Sequence, residues 1–510
     1  MIVRANGIKE PPRPLVPLWA AAWMAAVAGL LMNLAFPAAA VWPLALVAVA
    51  LVLISLEGRR TWAALLIGSV YGIVFFSLLV SWTARYLGPV PWIALSVLEG
   101  ALTGVSLVLI TLACRWVPRI WPRARTVLLP AIVAALWTVH ELLLGNWPYG
   151  GFPWARLGMT QAEGPFAPVA SWLGVSGLSF LLVFIVALTI EAVRLRAWHR
   201  PLRLAPLVVT VLVMLFVPLF PTTDAGSMRI AAVQGNGATG YFDERVDYGV
   251  IDAQMSATEK LQGRKADLIV WPEGGVDYDP FRDPSTARRL TRVVTSMDAP
   301  LLANTATKRG EQYFNTSFLW TSDGTAEQLH DKRHPVPFGE YVPDRPFFNA
   351  LAPDLIGLIG REYTPGTNAP LVTVGDVGVG LAICFDVIYD EVIRESVQDG
   401  AQVLVFQTNN ADFRETAENL QQLSFARMRA IETGRSVVNV STVGTSQMIR
   451  PDGSTVAGLN ADEAGALLED VELRSGLTAG VLLGPWLQLL LLVTGPGALV
   501  AAGLMAWRRR

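Results

Sequence analysis

The sequence predicts a multi-span α-helical membrane protein with one α/β domain inserted before its last span. Three observations carry that reading. Of 510 residues, 52% are hydrophobic and only 16% charged, where soluble domains carry about a quarter charged; this excludes a disordered chain and a fully soluble enzyme. Seven long apolar stretches precede one acidic segment and an eighth follows it. The net charge of −2 hides a split: residues 222–477 hold 36 acids and 22 bases, a net of −14, while the remainder holds 6 acids and 18 bases, a net of +12. The expected divisions are 1–221, seven spans; 222–477, the inserted domain; and 478–510, an eighth span with a basic tail.

The spans are expected at 15–36, 40–57, 62–84, 91–114, 126–145, 167–193, 204–220 and 478–507, each near the ~20 residues that cross a bilayer core. With a cytoplasmic N-terminus, one side collects Arg4, Lys9, Arg13, Arg59, Arg60, Arg115, Arg119, Arg123, Arg125, Arg194, Arg196, Arg200, Arg203, Arg508, Arg509 and Arg510, and the short loops opposite hold only Arg85 and Arg156. The positive-inside rule then puts both termini in the cytoplasm and the acidic domain outside. Ala38-Ala39-Ala40 resembles a signal-peptide cleavage site, but the preceding apolar run exceeds the 7–15 residues of a signal core, so a retained span is expected. Glu99, His140 and Glu141 are the notable ionisable groups within spans, where such groups are functional candidates. For Glu99 we expect packing against other helices; for the other two both readings stand. The outside loop 146–166 is rich in aromatic and turn residues, as an interfacial belt is and as a lipid-contacting loop beside a site would be.

After the linker Pro221–Gly226 the pattern alternates. Strands are expected at 228–234, 267–271, 318–321, 325–329, 377–383, 403–407, 436–440 and 447–449, and helices at 243–261, 286–296, 387–398 and 416–433. Ser322-Asp323-Gly324 marks a hairpin, and Gly434 closes the last helix. Repeated β–α alternation with added hairpins argues for an α/β sandwich. Cys114 and Cys384, the only cysteines, offer neither a disulfide framework nor a metal cluster. No basic block suggests nucleic acid.

Three polar groups fall at or just after strand ends, where such folds place chemistry: Glu273, Lys332 and Cys384. A thiol must lose its proton to attack a carbonyl, a carboxylate serves as the base, and a lysine with the backbone N–H after the nucleophile stabilises an oxyanion. Taken singly, each has a plain structural reading: a buried thiol, a helix cap, a solvated loop lysine. The order Trp271-Pro272-Glu273, Lys332 leading into Pro337-Phe338-Gly339-Glu340-Tyr341-Val342-Pro343, and Ile383-Cys384-Phe385-Asp386 resembles the nitrilase superfamily. That resemblance implies a Glu-Lys-Cys triad on an α-β-β-α sandwich.

Over nearly its full length the chain resembles the apolipoprotein N-acyltransferase family, through this arrangement of spans and domain and through Gly151-Phe152-Pro153-Trp154, Val233-Gln234-Gly235-Asn236 and 427–435, Arg-Met-Arg-Ala-Ile-Glu-Thr-Gly-Arg. The resemblance implies a bacterial inner-membrane acyltransferase. Cys384 would take an acyl chain from a phospholipid, commonly phosphatidylethanolamine, and pass it to the amino group of a diacylglyceryl-modified N-terminal cysteine on a prolipoprotein. It implies no metal and no other cofactor. Glu340 matches a second glutamate of the family. Phe385 and Asp386 stand where the family often has Tyr and Glu; Phe lacks the hydroxyl and Asp is shorter. A family tryptophan falls near Phe242 or Tyr241. Trp154, Asn409 and Asn410 are further candidates for the substrate cleft. A monomer is expected. The competing reading is a membrane-tethered nitrilase-type amidase with water as acceptor.

Overall fold

A computed structural model describes residues 14–509. Arg4, Lys9, Arg13 and Arg510, part of the basic pattern above, lie outside them. The helices of the frame are α1 (Leu18–Ala35), α2 (Pro43–Ser55), α3 (Thr61–Leu79), α4 (Thr83–Leu87), α5 (Pro89–Ile120), α6 (Arg125–Leu144), α7 (Ala170–Arg194) and α8 (Ala205–Phe216). Five of them, with one more helix at 479–508, are long and apolar enough to cross a membrane. The stretches expected at 40–57 and 204–220 give helices of 13 and 12 residues, about 18–20 Å long. Pro43 sets the start of α2, and Pro218 and Pro221 stop α8 from continuing.

Small residues bring α3 and α5 together. A Cβ on Gly72 would lie 2.7 Å from Cα of Gly100, and one on Gly68 would lie 2.8 Å from Cα of Gly104. Glycine allows this close approach, which supplies packing where lipid gives no hydrophobic drive. The basic residues gather at one end of the bundle. Arg125 pairs with Glu191 at 2.7 Å, Arg194 with Glu191 and Glu57, and Arg115 donates to the Arg59 carbonyl at 2.7 Å.

The inserted domain is an α-β-β-α sandwich. Its elements are β1 (Thr223–Gln234), α9 (Gly249–Glu259), β2 (Leu268–Val270), α10 (Pro284–Met297), β3 (Leu301–Arg309), β4 (Gln312–Trp320), β5 (Leu329–Asp331), α11 (Arg345–Leu351), α12 (Pro353–Leu358), β6 (Leu371–Val374), β7 (Val377–Ile383), α13 (Asp390–Gln398), β8 (Val403–Thr408), α14 (Glu418–Thr433), β9 (Ser436–Ser441), β10 (Ser446–Ile449), β11 (Thr455–Leu459) and β12 (Gly465–Ser475), before the last helix, α15 (Ala479–Arg508). One sheet runs β12-β1-β2-β3-β4-β5 and the other β11-β10-β9-β8-β7-β6. Strand alternation sorts the core. Ile230, Ala232, Leu268 and Val270 face Val379, Leu381, Val403 and Val405 between the sheets, while Ala231, Val233 and Ile269 face α9 and α10.

Several elements differ from expectation. The first domain helix starts at Gly249 rather than 243, because Asp243 turns back to accept from the Gly240 N–H at 2.8 Å and Tyr248 adopts a left-handed backbone. The helix expected from 387 starts at Asp390, after a 3-10 turn over Cys384–Ile388. Strands β3, β6, β11 and β12 were not expected.

The outer layer of the second sheet is also the seat on the membrane frame: α13 and α14 share one continuous apolar cluster with the spans. Gly174 kinks α7 at φ +70, and the Val175 N–H exposed there donates to Glu432 of α14 at 3.1 Å. Gln421 of α14 accepts from the indoles of Trp154 (2.8 Å) and Trp82 (3.3 Å) and donates to the Leu79 carbonyl at 3.2 Å.

Candidate active site

Parallel strands β2 and β7 end on the same edge of the sandwich. Trp271-Pro272 extends β2 to Glu273, and β7 delivers Cys384 at a turn with φ +49. That left-handed conformation is costly for a residue bearing a Cβ, and strain of this kind concentrates at functional positions. Lys332 follows β5, its N–H bonded to the Asn315 carbonyl at 2.9 Å. Gly366 backs it, since a Cβ there would lie 2.1 Å from the Asp331 carbonyl oxygen.

Lys332 is only 2% exposed and sits between two carboxylates, with Nζ 3.3 Å from Glu273 Oε1 and 2.8 Å from Glu340 Oε2. Asn315 joins the same pair: its Nδ2 donates to Glu273 at 2.8 Å and to Glu340 at 3.1 Å. Asn304 fixes that amide by donating to Asn315 Oδ1 at 2.9 Å and to Ser317 Oγ at 3.2 Å. Gln407 of the other sheet accepts from Ser317 and donates to the Trp271 carbonyl at 2.6 Å, tying β4, β8 and the Glu273 segment together. Buried polar groups connected in this way hold one geometry.

Burial opposes the charge on Lys332, but Glu273, Glu340 and Cys384 outweigh it and hold the ammonium well above the usual lysine range. Burial pushes the Glu273 carboxyl up despite the opposing Lys332 charge. Burial and the Glu273 charge push the Cys384 thiol well up, against the pull of Lys332 and of a hydrogen bond from Gln422. At rest Cys384 is therefore a neutral thiol beside the Glu273 carboxyl.

Cys384, Glu273, Lys332 and Glu340 line one cavity of about 630 Å³. Its opposite wall is apolar and comes from the frame: Val90, Ala94, Leu95 and Leu98 of α5, with Phe152 and Trp154. Trp154 is buried and packs with Phe152 and Phe385 in a triangle of rings, with centroids 5.8, 6.3 and 6.0 Å apart. Phe385 lines the cavity as one ring of this cluster. Asp386 points the other way. Its carboxylate accepts from the N–H groups of Arg333 (3.2 Å) and His334 (2.8 Å), so it anchors the chain just after Lys332. Asn409 lines the cavity and accepts from Thr239 (3.1 Å) and Thr442 (2.8 Å). Asn410 lies behind the wall. Tyr241 hydrogen-bonds the Leu358 carbonyl and packs edge-on against Tyr86, at the rim. Phe242, 66% exposed, lies outside the cavity lining.

The cavity residues not singled out from the sequence include Asn304 and Asn315 and also Glu418 and Gln422, the last two one turn apart on α14. Asn410 donates to both, at 2.7 and 2.9 Å, and Gln422 donates to Cys384 Sγ at 3.4 Å. Their i, i+4 spacing on a helix that ends in a buried run was the available signal. Within the spans, Glu141 caps the 153–161 segment by accepting from the Leu157 N–H at 3.0 Å, His140 approaches Thr103 at 3.3 Å, and Glu99 lines the cavity.

Residues 28–188 match the family described as the apolipoprotein N-acyltransferase N-terminal domain, and residues 229–476 match the carbon-nitrogen hydrolase family. The chain is 31% identical over 475 residues to the apolipoprotein N-acyltransferase of Mycolicibacterium smegmatis, covering 85% of this chain and 77% of that one. It is 29% identical over 465 residues to that of Geobacter metallireducens, covering 84% and 85%. Among solved structures, Saccharomyces cerevisiae Nit3, a member of branch 10 of the nitrilase superfamily, aligns with 49% of this chain and 91% of its own at 16% identity and a TM-score of 0.39.

Proposed function

The chain belongs to the apolipoprotein N-acyltransferase family, and from that membership we propose that this bacterial membrane protein moves an acyl chain from a phospholipid, through a thioester on Cys384, to the α-amino group of an S-diacylglyceryl-cysteine at a lipoprotein N-terminus. The observation that carries the reading is the single cavity joining Cys384, Glu273 and Lys332 to the apolar face of α5. A lipid ester reaches a thiol only where a chemically equipped cleft continues into apolar surface.

In the first step Glu273 takes the thiol proton as Sγ attacks the ester carbonyl. Lys332 and the Phe385 N–H stabilise the oxyanion. Collapse breaks the ester C–O bond, and Glu273 returns the proton to the departing lysophospholipid. In the second step the acceptor amine attacks the thioester, the C–S bond breaks, and the thiol is regenerated through Glu273. Splitting the exchange this way lets two bulky lipids use one cleft in turn. Glu340 holds Lys332 in place.

The donor is phosphatidylethanolamine, the protein acts as a monomer, and the domain at 222–477 stands outside the membrane with both termini in the cytoplasm. The basic cluster of Arg59, Arg115, Arg125 and Arg194, at the end of the bundle away from the domain, supports that orientation. The match of residues 28–188 to the acyltransferase N-terminal domain favours transfer over a water-using amidase. The test is intact mass spectrometry after exposure to phosphatidylethanolamine without acceptor. One acyl adduct is expected, released by hydroxylamine and absent in Cys384→Ala. Steady release of fatty acid with no transfer to a lipopeptide would sink the reading.

A further inference from the structure

Three carboxyl side chains and one ammonium close on Cys384: Glu273, Glu340, Glu418 and Lys332 all line the cavity. Lys332 is committed to Glu273 and Glu340. Glu418 pairs with no cation among the described residues. Its Oε2 accepts from Asn410 at 2.7 Å, while Oε1 takes no hydrogen bond there, although the residue is only 2% exposed. Oε1 therefore opens onto the cavity, where a donor entering the cleft can reach it. The position is close to the chemistry, since Glu418 connects through Asn410 and Gln422 to the Cys384 sulfur.

The substrates differ in what they bring to that point. The reacting part of the donor is an uncharged ester. The reacting atom of the acceptor is a nitrogen that arrives as an ammonium and must lose a proton before it can attack. We propose that Glu418 is the docking point for the α-ammonium of the acceptor and takes its first proton. This rests on the acyltransferase reading of Cys384. Glu418, neutral at rest, gives its proton to solvent as the ammonium docks and then takes one from it as a carboxylate, and the neutral amine forms the C–N bond as the C–S bond breaks. The second proton passes by Glu273 to the leaving sulfur, and Glu418 is left neutral again. Burial, with the Glu273 charge adding to it and Asn410 opposing, raises the Glu418 carboxyl to about 8. That value lies close to the ~7.7–8.0 of an α-amino group, so the transfer between them is nearly balanced.

The experiment loads wild type and Glu418→Gln with phosphatidylethanolamine or phosphatidylglycerol in micelles, follows the adduct by intact mass, and then adds an S-diacylglyceryl-cysteinyl peptide. The ratio of transfer rate to loading rate is expected to fall about tenfold or more in the variant with either donor, while adduct cleavage by hydroxylamine, a neutral nucleophile, does not follow that fall. An unchanged ratio overturns the proposal, as does a loss confined to loading from phosphatidylethanolamine, which would make Glu418 a headgroup contact. If the variant does not fold, wild type decides. An N,N-dimethylated lipopeptide, which keeps its charge, should inhibit transfer, and its N-acetylated counterpart should not; equal inhibition overturns the proposal. A wild type that takes no adduct from either donor overturns the acyltransferase reading and this proposal with it.

Discussion

The side-chain amide of Gln422 donates a hydrogen bond to Sγ of Cys384 at 3.4 Å. It favours the thiolate in a place where burial and the Glu273 charge oppose it. Gln422→Ala should therefore slow thioester formation by about tenfold, the worth of one hydrogen bond to a developing charge. Gln422→Glu should slow it further by placing a carboxyl beside the sulfur. Adduct formation against pH measures this, and the alkaline rise of the rate should move to higher pH in both variants.

Glu273 and Glu340 both bond Lys332 and share the Asn315 amide, yet they should fail differently. Glu273→Gln removes the base and should cut loading by ~10²–10⁴. Glu340→Gln leaves the base and removes one of the two carboxylates that hold Lys332 charged. Since the Lys332 ammonium is held above its ordinary range, its charge persists far into alkaline pH in wild type. Losing Glu340 lowers that point, so activity should fall at a less alkaline pH. The acid limb follows Glu273, whose carboxyl is raised, and activity should fall as pH drops through that raised value. Loading rates across pH check both limbs.

That Glu273, Lys332 and Cys384 share one cavity was legible because each follows a recognisable strand signal within a distinctive motif. Asp386 was harder to place. The left-handed backbone at Cys384 turns the chain so that Asp386 points beneath the Arg333 and His334 amides, and no local pattern encodes that reversal. β3 was missed for a related reason. Asn304, Thr305 and Thr307 are buried in its middle as members of a polar network, so its sequence lacks the apolar alternation of an ordinary core strand. Gln422 and Glu418 lie in a helix that was expected, but which face of that helix is buried depends on the membrane frame packed against it.

The joint between domain and frame carries its own prediction. Arg156, in the loop between α6 and α7, donates to Asp390 at 2.8 Å and to the Ile388 carbonyl at 3.1 Å, and Arg429 pairs with Asp390 at 2.8 Å. Burial opposes the Asp390 charge, but the two guanidinium groups outweigh it and hold the carboxyl far below its usual range. Because the folded value is depressed, this stabilisation is present above the ordinary ~3.9 and is lost as pH falls below it. Arg156→Ala leaves Asp390 with Arg429 as its remaining guanidinium partner and should cost about 2 kcal/mol, the worth of charged hydrogen bonds lost from a buried site. Thermal unfolding in detergent should show a lowered midpoint, with the Trp154 segment loosened first in hydrogen exchange.

Glu418 gives the opposite sign. Its folded value of about 8 stands above the ~4.3 of an unfolded glutamate. The folded protein thus holds a proton that the unfolded chain releases, and this contribution is fully present below ~4.3 and lost as pH rises through the folded value. Glutamine at 418 keeps an acceptor for Asn410 but does not titrate. Relative to wild type, Glu418→Gln should therefore gain stability as pH rises from about 5 to about 8, by up to a few kcal/mol, and the gain should level off above that. Unfolding midpoints of the two proteins at pH 5, 6, 7, 8 and 9, with no lipid acceptor present, measure the difference. A gap that stays constant with pH would mean that Glu418 is ionised in the resting cavity. Adding the charge-bearing N,N-dimethylated lipopeptide should narrow the gap at pH 8 and above, because an ammonium beside Glu418 relieves the cost of its charge only in the protein that carries one.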